Sequence, residues 1–281
     1  MSTTTSPTSS SSAATIAFVG GGNMASAIIG GLIRAGTPAS SILVVEPWAA
    51  QREKLATDFG LEALAAADAR LGRADTVVWA VKPQTFAEAA EPCAPFVGQA
   101  LHLSVMAGIR SSAIASATGA TRIVRAMPNT PALIGMGISG LYARPEVDAD
   151  ARRRIEALLA PTGTTLWVEE EAQLDAVTAI SGSGPAYVYY FLEAMMAAAP
   201  QLGLSAEQAK TLALATFAGA TELARRSTEP PEVLRERVTS KGGTTYAALL
   251  SMRGHQVAEH IGEALQAACV RARELGDEFG R

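Results

Sequence analysis

The hydropathy pattern of the chain changes once, near residue 168. Before that point, short apolar runs over 15–19, 41–46, 75–81, 101–105, 123–127, 138–143 and 164–168 predict β-strands. Segments of helical periodicity near 49–59, 84–91, 111–117 and 148–160 lie between them. Strands that alternate with helices build a parallel sheet covered on both faces, so this half predicts a doubly wound α/β domain whose later strands are open to an antiparallel arrangement. After Glu169 the strand signal stops. Helical patterns rich in Ala, Leu and Met cover 170–180, 184–201, 205–227, 231–238, 243–252 and 255–278. Ser205, followed by Glu207 and Gln208, is an N-cap candidate, and Pro230-Pro231 opens the next helix. The fold class is thus α/β plus all-α, with a disordered tail over 1–14, an α/β domain over 15–168 and a helical domain over 169–281.

The first strand runs into Gly20-Gly21-Gly22-Asn23-Met24-Ala25, and Ala25, Ile28, Ile29, Leu32 and Ile33 then recur at helical spacing. A glycine-rich turn between a buried strand and an amphipathic helix is the context a dinucleotide fingerprint requires. Gly20 permits the tight turn, Gly22 leaves room for a pyrophosphate, and Ala25 lets the helix pack close to the strand. Amides at the helix start face the phosphates. The second strand ends in Glu46, 24 positions beyond Gly22, where such folds place the residue that meets the adenosine ribose. A carboxylate there favours a ribose 2'-hydroxyl and repels a 2'-phosphate, Arg52 is positioned to compensate, and the alternative is a strand end with Glu46 in solvent. The cofactor expectation is therefore NADP or NAD.

Composition narrows the rest. Hydrophobic residues make up 48% and charged ones 18%, the balance of a folded chain long enough for two domains. A net charge of −4 with no clustered cationic face argues against nucleic acid, and Arg152-Arg153-Arg154 reads as a solvated helix face. Cys93 and Cys269 have neither disulfide-framework nor metal-ligand spacing, which fits a reducing cytoplasm. No apolar run reaches membrane-spanning length, Glu193 interrupting the richest stretch. Residues 1–14 lack the features of a signal peptide. Ala-rich helices bury shallow ridges, so the helical half is expected to complete its core in a homo-oligomer.

A dehydrogenase acting on an alcohol needs a base for the hydroxyl proton. The histidines are His102, inside an apolar strand, and His255 and His260, on the last helix; no lysine occurs between Lys82 and Lys210. Val188 stands where hydroxyacid dehydrogenases of related design carry a lysine. Reduction of a C=N bond escapes this need, because the nitrogen takes a proton from solution and the carbon takes hydride; the protein has only to position. Two clusters of hydroxyls and glycines suit that task. They are Ser181-Gly182-Ser183-Gly184-Pro185-Ala186-Tyr187 and Thr239-Ser240-Lys241-Gly242-Gly243-Thr244-Thr245, each leading into a helix whose amides can cradle a carboxylate or simply be capped. A hydroxyacid dehydrogenase and a nucleotide-binding regulatory protein are the competing functions.

Taken together, Val19 to Ala25, Ala80-Val81-Lys82-Pro83-Gln84, Arg125-Ala126-Met127-Pro128-Asn129-Thr130-Pro131, Asp175-Ala176-Val177-Thr178, Ser181 to Tyr187 and Ser240 to Thr245 resemble pyrroline-5-carboxylate reductase over nearly the whole chain. The resemblance implies NAD(P)H-dependent reduction of L-1-pyrroline-5-carboxylate to L-proline, the last step of proline biosynthesis. It implies an N-terminal Rossmann domain and a C-terminal helical dimerisation domain, with dimers associating as far as a decamer of dimers, no nucleic acid and no membrane. The site would lie where one subunit's helical domain meets the other's cofactor domain. Val19, Gly20, Gly21, Gly22, Asn23, Met24, Ala80, Val81, Lys82 and Pro83 would hold the cofactor, with Val105, Met106 and Ala107 lining the nicotinamide. Ser240, Gly243, Thr244 and Thr245 would hold the substrate, Thr245 bonding the ring nitrogen as the catalytic residue. Lys241 departs from the family, where proline is usual.

Overall fold

The computed structural model describes residues 15–280; the tail assigned to 1–14 lies outside the described residues. Seven strands form one sheet: β1 (Ile16–Val19), β2 (Ile42–Val45), β3 (Thr76–Trp79), β4 (Leu101–Ser104), β5 (Ile123–Met127), β6 (Gly137–Ala143) and β7 (Gly163–Trp167). Their order is β2-β1-β3-β4-β5-β6-β7; every neighbouring pair is parallel except β5 with β6. Successive residues of a strand point to opposite faces. Phe18 and Val78 accordingly join one apolar core with Ile28, Ile29 and Leu55, while Ala17, Val19, Val77 and Trp79 join a second core with Leu71, Phe86 and Ile114. Burial on both faces explains why these strands read as unbroken apolar runs.

The helices in chain order are α1 (Asn23–Arg34), α2 (Ala49–Phe59), α3 (Phe86–Ala90), α4 (Ala94–Val97), α5 (Ser111–Thr118), α6 (Ala149–Leu159), α7 (Gln173–Val177), α8 (Gly184–Ala198), α9 (Ala206–Arg226), α10 (Pro231–Arg237), α11 (Thr244–Gly254) and α12 (Val257–Phe279). The helix expected over 170–180 is interrupted: α7 passes at Thr178–Gly182 into a π-turn, the wider winding that often marks functional sites. The helix expected near 84–91 is a 3₁₀ turn at Pro83–Thr85 followed by α3.

The chain forms two compact units, one running through Gly182 and resuming at Val270, the other being Ser183–Cys269. The pattern change near 168 is therefore not the packing boundary. Residues 169–182 and the last turns of α12 belong with the sheet, the first of these held there by ion pairs from Glu171 to Arg125 and from Asp175 to Arg110. In the helical unit α8 and α9 pack together, with the Phe191 and Phe217 rings 6.5 Å apart. Ser205 caps α9 through a capping box with Gln208, as its position predicts. Few side chains of this unit are buried, among them Leu192 and Ala213, whereas Tyr190, Leu212, Leu223 and Leu250 are more than half exposed.

Candidate functional site

The sheet order places a topological switch between β1 and β3, since the chain leaves β1 toward β2 on one side and returns to β3 on the other. Ligands of open α/β sheets bind outside the carboxyl ends of the strands at such a point. Here the two ends are stitched together: the Ala80 amide donates to the Val19 carbonyl at 2.9 Å and the Gly20 amide to the Val45 carbonyl at 2.9 Å. Gly20 sits at φ +93°, and a Cβ on it would lie 2.8 Å from the Ala80 carbonyl oxygen, so both conformation and space demand glycine. A Cβ on Gly22 would meet nothing within 4 Å. No side chain caps α1 at Gly22, so its first-turn amides have no side-chain capping partner, the setting an anionic pyrophosphate fits.

Glu46 is not in solvent. It is only 8% exposed, and its carboxylate accepts the Gly21 amide at 2.9 Å and the Trp48 amide at 3.0 Å. The Gly21 carbonyl accepts from the Gln51 side chain at 2.5 Å and from the Ser26 hydroxyl at 3.2 Å. The glycine turn is thus fastened on both sides of one residue to the end of β2 and the start of α2. Arg52 Nη1 donates to the Glu46 and Pro47 carbonyls, which holds its guanidinium against the same strand end.

Val19 to Met24, Glu46, Ala80 to Pro83 and Val105 to Ala107 gather at the carboxyl ends of four adjacent strands, β2, β1, β3 and β4. The Val105 amide donates to the Trp79 carbonyl at 3.0 Å, which carries β4 one residue further toward that edge. Met106 is buried and its amide donates to the Ser104 hydroxyl at 3.3 Å.

His102 is a core residue. It is fully buried; the Trp79 indole donates to Nδ1 at 2.9 Å, which leaves Nε2 to carry the proton and donate to the Val97 carbonyl at 2.9 Å. Burial holds its pKa below the usual imidazole value despite the Val97 bond. With both ring nitrogens engaged, it has no proton to exchange with a ligand.

Arg110, Ser111, Arg125, Glu171 and Asp175 form a charge cluster, although in the sequence Arg125 and Asp175 stood out only within motifs and neither had a partner assigned. Glu171 accepts from the Ser111 amide at 2.6 Å, the Ser111 hydroxyl at 2.7 Å and Arg125 Nη1 at 3.0 Å; Arg110 makes a two-pronged pair with Asp175 at 3.2 and 3.3 Å. Burial works against ionisation of Glu171, but the Ser111 donors and Arg125 outweigh it and hold the carboxyl below its usual range. Burial likewise pulls the Arg125 guanidinium down, and its Nε has no partner among the described residues. An arginine in the middle of an apolar strand, as in Ile123-Val124-Arg125-Ala126-Met127, signals such a cluster, because a buried guanidinium requires an acid beside it.

The second candidate loop lies in the helical unit. Ser240, Gly243, Thr244 and Thr245 occupy one turn at the start of α11, closed by the Gly243 amide donating to the Ser240 carbonyl at 3.0 Å. A Cβ on Gly243 would lie 2.5 Å from the Ser240 hydroxyl oxygen. No side chain caps α11, which leaves the first amides and two threonine hydroxyls for a ligand; Thr245 is half-buried and Lys241 exposed. In the other cluster Ser183 does not cap α8, and Ser181 is bonded back to the Val177 carbonyl within the π-turn. Among the described residues no group of three or more His, Cys, Asp or Glu side chains is placed to hold a metal ion.

The family model described as pyrroline-5-carboxylate reductase dimerisation matches residues 171–275, and the one described as NADP oxidoreductase, coenzyme F420-dependent, matches residues 15–108. The chain is 42% identical to a pyrroline-5-carboxylate reductase of Pseudomonas aeruginosa over 95% of its length and 98% of that protein's. It is 40% identical to one of Haemophilus influenzae over 94% and 98%. The solved reductase of Coxiella burnetii superposes with a TM-score of 0.86 at 36% identity, covering 93% of this chain and 98% of that one. The Plasmodium falciparum pyrroline carboxylate reductase, solved with NADP bound, superposes with a TM-score of 0.83 at 28% identity over 94% and 98%. The chain belongs to the pyrroline-5-carboxylate reductase family.

Proposed function

We propose that the protein reduces L-1-pyrroline-5-carboxylate to L-proline with NADPH or NADH. The observation that carries this is the uncapped start of α11, where amides and the Thr244 and Thr245 hydroxyls are presented with no histidine or carboxylate among them. Such a surface binds and orients an anionic ring without taking a proton from it. The amides take the substrate carboxylate, and the Thr245 hydroxyl bonds the ring nitrogen, keeping it protonatable and fixing C5 in place. Ser240 and Gly243 shape the turn.

Gly20 to Met24 receive the pyrophosphate at the uncapped start of α1, Ala80 to Pro83 close the other side of the crevice, and Val105 to Ala107 form the wall for the nicotinamide. When bound, the reduced nicotinamide supplies the hydride. The Ser183–Cys269 unit leaves Tyr190, Leu212, Leu223 and Leu250 exposed, and the family match over 171–275 is to a dimerisation domain, so this face is the contact between two copies. Further association of dimers into a larger ring, and a site shared between subunits, extend the same proposal. Free thiols at Cys93 and Cys269 are in keeping with a cytoplasmic protein, and no helix among the described residues is long and apolar enough to cross a membrane.

The experiment is turnover of pyrroline-5-carboxylate with each reduced nicotinamide, together with Thr245→Ala. Proline formation that collapses in the variant while cofactor affinity holds supports the assignment; an unaffected variant removes Thr245 from the site.

A further inference from the structure

We infer that Arg110 is a positioning residue that holds the nicotinamide-facing segment by clamping it between the outgoing and returning legs of the chain. This rests on the placement of Val105 to Ala107 proposed above. The chain leaves the sheet unit through 171–182 and comes back into it at Val270. Both legs meet Arg110. On the outgoing leg, Asp175 grips the guanidinium with both carboxylate oxygens at 3.2 and 3.3 Å, and the pair is well shielded, the side chains being 20% and 8% exposed. On the returning leg, the guanidinium lies directly on α12: a Cβ on Gly276 would sit 2.5 Å from Arg110 Nη2 and 2.8 Å from its Cζ. A Cβ on Gly280 would sit 2.7 Å from Arg110 Cγ. Two residues before Arg110, Gly108 adopts φ +76°, and a Cβ on it would sit 3.1 Å from the Leu275 carbonyl oxygen.

Ser111, next in sequence, is anchored by amide and hydroxyl to Glu171, which is itself paired with Arg125 of β5. The segment from Val105 to Ser111 is therefore pinned at its far end by two carboxylates from one leg and by the bare backbone of the other. The planar two-pronged fork is what arginine supplies and lysine cannot. A misplacement of about 1 Å in a hydride-transfer site costs up to about 100-fold in rate, so loosening this end reaches turnover without touching a ligand.

The test compares wild type with Arg110→Lys and Gly276→Ala in the full-length protein. The second variant displaces the guanidinium while leaving the charge in place, and alanine favours helix over glycine, so any loss it causes is not a loss of helix. Amide exchange without cofactor is expected to accelerate about tenfold over 105–109 and to stay unchanged over 20–25, the glycine turn, because local opening is set by local contacts. With cofactor, kcat is expected to fall about 10- to 100-fold while NADPH and NADH dissociation constants, read by titration, stay within about threefold. Unchanged exchange over 105–109 in both variants overturns the clamp. Accelerated exchange with unchanged kcat shows instead that this segment does not face the nicotinamide, and the positioning role falls with that placement.

Discussion

The Glu46 carboxylate accepts the Gly21 amide at 2.9 Å, so the residue that ends the second strand also fastens the middle of the glycine turn. A carboxylate expected from its place on β2 to meet an adenosine ribose is thus also part of the scaffold that holds the glycine turn. Its second oxygen, on the Trp48 amide at 3.0 Å, fixes the loop that opens α2.

Replacing Glu46 should therefore act twice. Glu46→Ala strands the buried Gly21 amide, a cost of about 1–3 kcal/mol, and should weaken both nicotinamides alike. Glu46→Gln removes the charge and keeps an acceptor for only one of the two amides, a loss shared by both cofactors, so it should raise kcat/KM for NADPH relative to NADH by about tenfold, since only a 2'-phosphate feels the lost repulsion. Initial rates with the two cofactors check this; an unchanged ratio places the 2'-position away from Glu46.

Thr245→Ala should lower kcat by about 10- to 100-fold, the loss of one hydrogen bond to the reacting group. Thr245→Ser should recover most of it, because the hydroxyl rather than the methyl is used. Steady-state kinetics with a cofactor titration separate the effect from a binding defect.

His102 predicts an acid limit to stability. Its pKa is held down in the folded protein, so the unfolded chain takes up the proton first as pH falls below about 6.5. The contribution from a neutral His102 is complete above that value and shrinks below it, at up to about 1.36 kcal/mol per pH unit. Urea unfolding across this range should show the slope, and His102→Gln should flatten it while turnover is retained.

Glu171 acts at lower pH. Its carboxyl is held below the usual range, so its contribution is complete above about pH 4.3 and is lost as pH falls through the depressed value. Glu171→Ala leaves Arg125 buried and uncompensated, and should cost about 3–5 kcal/mol in equilibrium unfolding at neutral pH. Arg125→Met with Glu171→Leu should recover the part of that loss due to the uncompensated guanidinium, but not the part due to the Ser111 amide and hydroxyl, which still lack their acceptor.

The strands were legible because both faces of the sheet are covered, so Ile16–Val19 or Thr76–Trp79 could belong nowhere else. The glycine turn was legible from its place between a buried strand and an amphipathic helix, although the contacts that exclude a side chain at Gly20 and Gly21 come from Ala80 and Leu55, far off in sequence. The unit boundary was not. It is set by Glu171 with Arg125 and Asp175 with Arg110, partners 46 and 65 residues apart, and by a C-terminal helix that returns to the sheet. Periodicity carries no trace of such pairings. The short α4 escaped because Pro95 reads as a breaker, although proline is tolerated in a first turn. Glu46 was recognised for its place on β2, but its bond to Gly21 depends on the register between two loops that only the folded chain supplies.

Hydride transfer to a cyclic imine asks the protein to position its substrate without a histidine or lysine base. The most direct measurement mixes the purified protein with L-1-pyrroline-5-carboxylate and either NADPH or NADH, follows nicotinamide absorbance and identifies the product. Oxidation of at least one cofactor in step with L-proline formation is the predicted result; no oxidation of either, with the protein folded and the cofactor bound, contradicts it.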